Sequence, residues 1–455
     1  MKQKIQLSDH FTISRLLLFS LPSIGMQIVD NTYQVADGYF ISNYIGADAF
    51  GAENLIFPPI MIIMSIGLMF GSGSSAFLAK ELGEGHKEKA NQLFSFLIIV
   101  LGAIGIVLSA VMFFLMPSIA RLTGVSEDLL PYCLDYSYIL ALFMPFQVLS
   151  MAFHPLLIAA ERPGLGLTVT ISNAVVNILL DWLFVAGFRW GMRGAALATG
   201  LAWCVSAVIP LVFFMKRSNS LHFVRPSANL KALIGSMYNG VSEMVDSAAY
   251  AFVAVIFNLQ LIRYLGNAGV EAYAVSEYAS GFFNAVFYGI SMTIIPVAGY
   301  HLGKSNKEEL HHLWHKGMLL MASIGVCITG LCLLAADAVV RFFVGYDEIL
   351  TGISVHAFRL VCLYFLLNGI TVYAGSYFTG VNQGTASLVI ALARGLIGPL
   401  LFIRLLPLLI GVDGLWMTSL SSEILAGIVS LICIIWWWRK GEDRHLGESS
   451  DPQIR

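Results

Sequence analysis

Apolar residues occur along this chain in twelve long runs separated by short polar segments. A helix needs about 20 apolar residues to cross a bilayer, and every run reaches that length. The runs are too long for membrane β-strands and lack their alternation of period two. We therefore predict twelve transmembrane helices, over residues 14–41, 53–79, 93–115, 131–157, 165–188, 194–215, 236–262, 270–299, 316–338, 353–378, 385–407 and 414–438.

The two halves of the chain repeat each other at a constant offset. Glycines mark the register, and 220 residues separate the members of each pair: Gly46 and Gly266, Gly83 and Gly303, Gly105 and Gly325, Gly191 and Gly411, Gly194 and Gly414. Because each half contains an even number of helices, both halves enter the membrane from the same side. The pattern predicts an all-α integral membrane protein with two six-helix lobes. A pseudo-twofold axis along the membrane normal would relate them, as in the parallel repeats of transporters.

Polar segments set the expected boundaries of the lobes. We predict an amino-terminal lobe over 1–215, a cytoplasmic linker over 216–232, a carboxy-terminal lobe over 233–440 and a cytoplasmic tail over 441–455. A charged run follows Gly83, and another follows Gly303. We expect each glycine to end a membrane helix and each charged run to begin a separate interfacial helix.

Composition places these helices in a lipid bilayer. Hydrophobic residues make up 57% of the chain and charged residues 12%, against roughly 25% charge in an average soluble domain. Of the Lys and Arg residues near helix ends, 18 fall on the face of the amino terminus and six on the other face. The positive-inside rule then predicts that both termini are cytoplasmic. We expect a multi-pass protein of the cell (inner, cytoplasmic) membrane that contacts membrane lipid and binds no nucleic acid.

Polar residues in three helices of the first half suggest an ion site. They are Asp30, Tyr33 and Asp37 in helix 1, Asn173, Asn177 and Asp181 in helix 5, and Thr199 in helix 6. Steps of four and seven residues share one helix face. An ionised Asp at mid-bilayer costs at least about 2.5–3.5 kcal/mol, so such residues face the bundle interior and mark an ion or proton path. If Asp37 and Asp181 approach each other, they would bind a proton or surround a sodium ion with oxygens.

The same residues could instead hold helices together by hydrogen bonds, and for Asn173 or Thr199 alone this explanation is the better one. For the other polar residues, the 220-residue offset tests this structural explanation. The counterparts of Asp30, Asp37, Asn177, Asp181 and Thr199 are Tyr250, Phe257, Ile397, Leu401 and Ser419. Contacts that the fold requires would be expected in both halves. The ion site is therefore predicted in the amino-terminal lobe.

The second half has scattered charges of its own. Glu243 lies near the predicted cytoplasmic end of helix 7, where either an ion site or simple solvation would explain it. Arg394 in helix 11 could pair with a carboxylate, but we expect it to snorkel to the interface. Asp30, Asn173 and Glu243 are therefore secondary candidates for cation binding.

Two other motifs are better explained by structure than by ligands. Residues 71–76 match the dinucleotide pattern G-x-G-x-x-A, but no strand precedes them, so with Gly67 they predict close helix packing. His311, His312 and His315 have the spacing of metal ligands, and we interpret them as a solvated face of a cytoplasmic helix. None of the six cysteines forms a CxxC pair, so we expect neither disulfides nor a zinc site.

Two segments resemble the multidrug and toxic compound extrusion (MATE) family. The sequence DGYFI from Asp37, followed by IGADAFGA from Ile45, looks like the family's first helix and loop. IIPVAGY from Ile294 looks like an element of its eighth helix. Ser42 departs from the family's usual Gly. The resemblance covers nearly the whole chain and implies a V-shaped arrangement of the lobes.

The resemblance also implies roles for individual residues. One branch of the family binds its cation through an Asp of helix 1, an Asn-x-x-x-Asp pair of helix 5 and a Thr of helix 6. The matching residues here are Asp37, Asn177, Asp181 and Thr199, with Tyr33 one turn before Asp37. Another branch uses carboxylates in helices 7 and 10. Helix 10 has no Asp or Glu between residues 353 and 378, which disfavours a carboxy-lobe site.

The polar residues and the resemblance together imply a proton- or sodium-coupled antiporter that exports lipophilic or cationic drugs or toxic metabolites by alternating access. We expect a monomer with a small-molecule substrate and no cofactor beyond the coupling ion. The alternative is a lipid-linked oligosaccharide flippase of the same superfamily, which would need a strongly basic cavity. Only Arg359 and Arg394 are intramembrane arginines. An enzyme is not expected, because no nucleophile cluster or cofactor motif is present.

Overall fold

Helices account for nearly all of the computed structural model, which describes residues 5–122, 124–217, 220–345 and 347–448, with side chains to residue 439. No β-strand occurs within these residues. Twelve helices are long and apolar enough to cross a membrane, which confirms the predicted number. We label them α1 (Ile13–Ile45), α2 (Ala47–Gly83), α3 (Lys87–Leu122), α4 (Leu130–Ala159), α5 (Pro163–Gly187), α6 (Gly191–Phe214), α7 (Leu230–Leu265), α8 (Asn267–Gly303), α9 (Lys307–Val344), α10 (Glu348–Gly380), α11 (Gly384–Ile410) and α12 (Thr418–Arg439).

The predicted linker corresponds to the segment between α6, which ends at Phe214, and α7, which begins at Leu230. Ser218 and Asn219 of this linker lie outside the described residues. So do residues 1–4 of the predicted amino-terminal lobe and residues 449–455 of the predicted tail. The division into lobe, linker and tail stays a prediction.

Several helices extend beyond the apolar runs that predicted them. α9 begins at Lys307 rather than at 316, and the Asn306 side chain caps it by accepting the Glu309 N–H at 3.1 Å. α3 begins at Lys87 in the same way. The charged runs therefore open membrane-crossing helices, and the prediction of separate interfacial helices was wrong. Acidic residues in the first turn favour such a start, because they complement the positive end of the helix dipole.

The internal repeat is visible in helix bounds and in one reciprocal contact. α2 and α8 begin and end 220 residues apart. A Cβ on Gly83 would lie 2.1 Å from the Tyr300 carbonyl oxygen, and a Cβ on Gly303 would lie 2.1 Å from the Lys80 oxygen. Lys80 and Tyr300 are also 220 residues apart. A pseudo-twofold axis therefore passes between α2 and α8.

The glycine run of α2 allows close packing, as predicted. A Cβ on Gly71 would lie 2.6 Å from the backbone of Ala152 in α4, and Gly67 packs on α4 in the same way. A Cβ on Gly73 would lie 1.9 Å from the Ser236 oxygen in α7. Small residues at these positions let α2 contact helices of both halves at backbone distance.

Each half has its own core of buried apolar side chains, and α1 joins the two. α1 packs on α5 of its own half and on α8 of the other. The Thr293 hydroxyl in α8 donates to the Ser23 hydroxyl at 3.0 Å, and Asn31 donates to the Gly281 carbonyl at 2.9 Å. Contacts on two sides thus hold the helix that carries the first polar stripe.

Candidate functional site

Two π-helical turns lie next to the predicted aspartates. α1 changes to π-helix over Ile41–Ile45, shortly after Asp37, and α5 does so over Trp182–Gly187, directly after Asp181. Such turns interrupt the regular hydrogen-bond ladder and occur frequently at functional sites. The two turns contact each other. They bring the ends of α1 and α5 together in the amino-terminal half.

The carboxyl groups of Asp37 and Asp181 face each other beside these turns. Asp37 is 6% exposed, and Asp181 is fully buried. The two carboxyl groups lie within hydrogen-bonding distance of each other. Two negative charges at such a separation repel strongly in a low-dielectric interior. The arrangement therefore favours a positive ion bound by both carboxylates.

Asn177, one helical turn before Asp181, contacts Thr199 of α6. The Asn177 amide nitrogen donates to the Thr199 hydroxyl oxygen at 3.3 Å, and both side chains are buried. The Thr199 hydroxyl also lies against the phenol of Tyr136 in α4. Because the amide nitrogen is bound inside the protein, the amide oxygen is the group that Asn177 can offer to a ligand.

Buried oxygens outnumber donors in this cluster. Among the residues that the structure describes, none donates a hydrogen bond to Asp37 Oδ1, to Asn177 Oδ1 or to either carboxylate oxygen of Asp181. Buried polar atoms in proteins are nearly always partnered, and an unsatisfied one costs about 1–3 kcal/mol. Neighbouring oxygens without donors are the ligands that a hard cation prefers, and they equally accept a proton.

The polar stripe of α1 continues away from Asp37. The Tyr33 hydroxyl lies near the side chain of Asn173 in α5 and within electrostatic reach of Asp30 and Asp37. Asn173 Oδ1 is a further buried oxygen without a donor in the described part of the chain. Asp30 is only partly buried. These three residues extend the cluster along α1 and do not form its centre.

Two residues of the cluster were not predicted from the sequence. Glu53 of α2 lies within electrostatic reach of Asp37 and Asp181, and Tyr136 contacts Thr199. Glu53 is the first residue of the second predicted run and therefore resembled an interfacial acid. α2 in fact begins at Ala47, which places Glu53 inside the helix bundle. Tyr136 had no distinguishing signal, because tyrosine occurs at membrane interfaces as often as at sites.

The carboxy-terminal half contains a second buried cluster, centred on an ion pair. Arg394 of α11 binds the carboxylate of Asp246 in α7, and its guanidinium lies 5.8 Å from the centre of the Tyr288 ring. The prediction that Arg394 snorkels to the interface was therefore wrong. The partly buried carboxylate of Asp246 and the face of the Tyr288 ring hold the guanidinium inside. Glu243, which is partly buried, lies within electrostatic reach of this pair.

Glu423 of α12 belongs to the same cluster and was not predicted from the sequence. Glu423 is 5% exposed, and its carboxylate accepts a hydrogen bond from the Thr371 hydroxyl in α10. It also lies within electrostatic reach of Arg394 and Asp246. Its position inside the last apolar run was an available signal, since an acid at that depth is costly.

The three histidines of α9 do not share one face. His311 and His315 stack on Trp438 of α12, with ring centres 4.8 and 5.5 Å away. His312 instead turns toward Glu309, with its Nδ1 atom 4.0 Å from the carboxylate. His311 and His315 are exposed, which agrees with the predicted solvated face, whereas His312 points in another direction because adjacent positions on a helix do not coincide.

The chain is similar to known transport proteins along nearly its whole length. A family described as MatE matches residues 22–183 and 244–403. The Multidrug export protein MepA of Staphylococcus haemolyticus is 25% identical over 427 residues, which is 92% of each chain. The protein of the same name from Staphylococcus aureus strain MRSA252 is 25% identical over 429 residues, again 92% of each chain.

Solved structures with the same fold align with this chain over almost the full length of each protein. A MATE protein in complex with MaL6 aligns with a TM-score of 0.89 at 20% identity, over 98% of this chain and 100% of that one. An outward-facing multidrug resistance MATE transporter aligns with 0.89 at 19% identity, over 98% and 99%. A transporter of the MOP superfamily from Pyrococcus furiosus aligns with 0.87 at 20% identity, over 95% and 97%. At these identities the likeness concerns the fold alone.

Proposed function

The chain belongs to the MatE family, and from that premise we propose that it is a cation-coupled antiporter that exports lipophilic or cationic drugs or toxic metabolites. Members of this family are transporters and not enzymes. The identity of 25% to the two MepA multidrug export proteins, over 92% of each chain, supports an export function. The observation that carries the coupling is the set of buried oxygens without donors around Asp37 and Asp181.

The position of α1 suggests how an ion is coupled to the movement of the lobes. A cation between Asp37 and Asp181 draws α1 toward α5, whereas the bare carboxylates repel each other. Because α1 also contacts α8 through Ser23 and Asn31, any shift of α1 changes the contact between the halves. A cation whose affinity differs between the two states shifts their populations, which is the requirement for coupling.

The setting that we propose is the cell membrane, with both termini in the cytoplasm. The even number of twelve helices puts both termini on the same face. The excess of 18 basic residues over six on that face supports the cytoplasmic side. The protein acts as a monomer on a small organic cation or lipophilic substrate, with a proton or a sodium ion as its only other requirement.

The arginines argue against a flippase for lipid-linked oligosaccharides. A pyrophosphate group needs positive charge that no protein carboxylate neutralises. The guanidinium of Arg394 is bound to Asp246 and covered by the Tyr288 ring. Arg359, the other arginine at membrane depth, is exposed on the surface of the bundle. The buried charge of the carboxy-terminal half is therefore acidic on balance.

Ethidium efflux from proteoliposomes tests the proposal, with a pH gradient and a sodium gradient imposed separately. Efflux under the pH gradient alone assigns the proton as the coupling ion, and efflux under the sodium gradient alone assigns sodium. An ionophore that collapses the active gradient should stop the efflux, and protein-free liposomes give the background. Efflux at background rate under both gradients would contradict the proposal.

A further inference from the structure

A pocket of about 250 Å³ lies at the end of the molecule that carries the amino terminus, away from the cluster of Asp37 and Asp181. It is partly open and is lined by the segment before α1, the last turn of α8 and the first turns of α9. Three histidines and one buried acid line it: His10, His301, His312 and Glu309. The proposed transport function uses none of these residues.

Three ligand atoms are already close together in this pocket. One ring nitrogen of His10, one of His312 and a carboxylate oxygen of Glu309 lie within 4.8 Å of one another. Glu309 Oε2 is 2.5 Å from His10 Nδ1 and 4.0 Å from His312 Nδ1. The other Glu309 oxygen accepts the Phe11 N–H at 2.8 Å, which holds the carboxylate in this orientation.

His301 is an independent sign that the pocket takes a ligand. It is 2% exposed, and within the described residues neither of its ring nitrogens has a hydrogen-bond partner. Glu309, the backbone of Asp9, Lys304 and His10 lie within electrostatic reach of its ring. His312 Nδ1 is likewise buried without a hydrogen-bond partner among these residues. Unpartnered buried imidazole nitrogens are uncommon, and a neutral imidazole is the commonest metal ligand in proteins.

We propose that His10, His301, Glu309 and His312 bind a divalent transition-metal ion, for which Zn²⁺ is the best fit. Imidazole nitrogens and a carboxylate oxygen in a set of four are typical zinc ligands. Ligands about 2.0–2.1 Å from a tetrahedral ion lie about 3.3 Å apart, and Glu309 Oε2 is within about 1 Å of that spacing from both His10 Nδ1 and His312 Nδ1. His301 lines the same pocket, outside this group of three atoms.

Lys316 is a positive group beside the site, and its position is compatible with a bound metal ion. Its ammonium lies 3.1 Å from His10 Nε2, on the side of the ring away from Glu309. His10 therefore presents Nδ1 to the pocket. The metal ion replaces the proton that His10 Nδ1 shares with Glu309.

A metal ion at this position would fasten the amino-terminal segment to the carboxy-terminal half. His10 precedes α1, whereas the other three ligands belong to α8 and α9. The same segment also contacts the first half, because the Leu7 N–H donates to the Glu161 carboxylate at 2.9 Å. The site thus joins three parts of the chain on one face of the protein. It does not depend on the function proposed above.

Metal binding to the full-length protein tests the site without any transport assay. The protein is purified in detergent without a polyhistidine tag, freed of metal and titrated with Zn²⁺ against a chromophoric chelator. We expect one Zn²⁺ per chain and a Co²⁺ form with the intense visible absorption of tetrahedral coordination. His301→Ala and His312→Ala should each weaken Zn²⁺ binding by at least about tenfold. His315→Ala is the matched control and should bind as the wild type, because His315 stacks on Trp438.

A further variant separates loss of a ligand from loss of the fold. His312→Cys replaces imidazole by a thiolate, which is also a zinc ligand. It should retain Zn²⁺ and add a thiolate-to-metal absorption band to the Co²⁺ form. The proposal is overturned if the wild type binds no Zn²⁺, if His315→Ala weakens binding as much as His312→Ala, or if His312→Cys elutes as a folded monodisperse protein that binds no metal.

Discussion

The two halves of the molecule share one arrangement of helices but differ in how their interior carboxylates are neutralised. In the amino-terminal half, Asp37 and Asp181 face each other, and none of the described residues supplies a positive charge to them. In the carboxy-terminal half, Asp246 is bound by Arg394. A guanidinium is always charged and cannot leave the chain. The fold thus accepts carboxylates at membrane depth in either half, but only in the carboxy-terminal half does a positive charge of the chain itself bind one of them.

Symmetry-related positions show that the aspartates are not needed to hold the helices together. The counterpart of Asp37 is Phe257, which is 4% exposed and packs its ring 4.5 Å from that of Tyr273. The counterpart of Asp181 is Leu401, which is 50% exposed. The same helical plan is thus achieved there with apolar side chains. The acids of the first half therefore serve a purpose other than packing.

Neutralising either aspartate of the pair should have the largest effect. Asp37→Asn or Asp181→Asn removes one of the two charges that bind the ion, so gradient-driven ethidium efflux should fall to that of protein-free liposomes. Binding of ethidium to the purified variants, measured by fluorescence anisotropy, should persist. Asp48→Asn, at an exposed acid of α2, should transport as the wild type. Wild-type efflux in either variant of the pair would show that coupling occurs elsewhere.

Breaking the ion pair of the other half should cost stability instead. Arg394→Met leaves the partly buried Asp246 carboxylate without its counter-ion, which should lower the free energy of unfolding by about 1–3 kcal/mol. The double variant Arg394→Met with Asp246→Leu should recover most of that loss. Thermal unfolding in detergent measures both, with Arg359→Met at an exposed arginine as the control. A single variant as stable as the wild type would contradict the description of Arg394 as a fixed counter-ion.

The reciprocal contact of Gly83 and Gly303 between α2 and α8 should respond equally to the same substitution in either half. In Gly83→Ala and Gly303→Ala, the new Cβ would meet a backbone oxygen at 2.1 Å, and a carbonyl cannot rotate away. Each change should lower stability by about 1–3 kcal/mol, as overpacking does, and by the same amount in both. Gly102→Ala, where a Cβ would meet no atom within 4 Å, should be neutral. Clearly unequal losses would argue against a twofold axis at this contact.

The smallest effect is expected at Thr199. Thr199→Val removes the oxygen that accepts the Asn177 amide proton. One hydrogen bond is worth about 0.5–1.5 kcal/mol, so the affinity for the coupling ion should fall about two- to tenfold with the maximal efflux rate retained. Efflux measured against ion concentration gives both quantities. Thr199→Ser keeps the hydroxyl and should restore the affinity, whereas an unaffected Thr199→Val would exclude this residue from the site.

Most of the helical plan could be predicted, because the apolar length of a segment is a local property. The predicted first residue was furthest from the observed one in α9, because this helix is capped at Asn306 and has polar turns before its apolar run. Glu53 was not predicted for the same reason: it is the first residue of an apolar run, where an acid is expected at the membrane interface. The position of Arg394 was also misjudged, because snorkelling and pairing are distinguished only by the neighbouring carboxylate. Asp246 lies 148 residues before Arg394 in the chain.

The sequence by itself determined that this chain has twelve membrane helices in two repeated sets of six, with acids in the interior of the first half. Apolar length, repeat spacing and the cost of charge in a bilayer can all be assessed one segment at a time. Only the tertiary structure decided which charges meet: Asp37 with Asp181, Asp246 with Arg394, and His10 with Glu309. The physical reason is that electrostatic energy depends on distance in space, and packing of helices remote in the chain sets that distance.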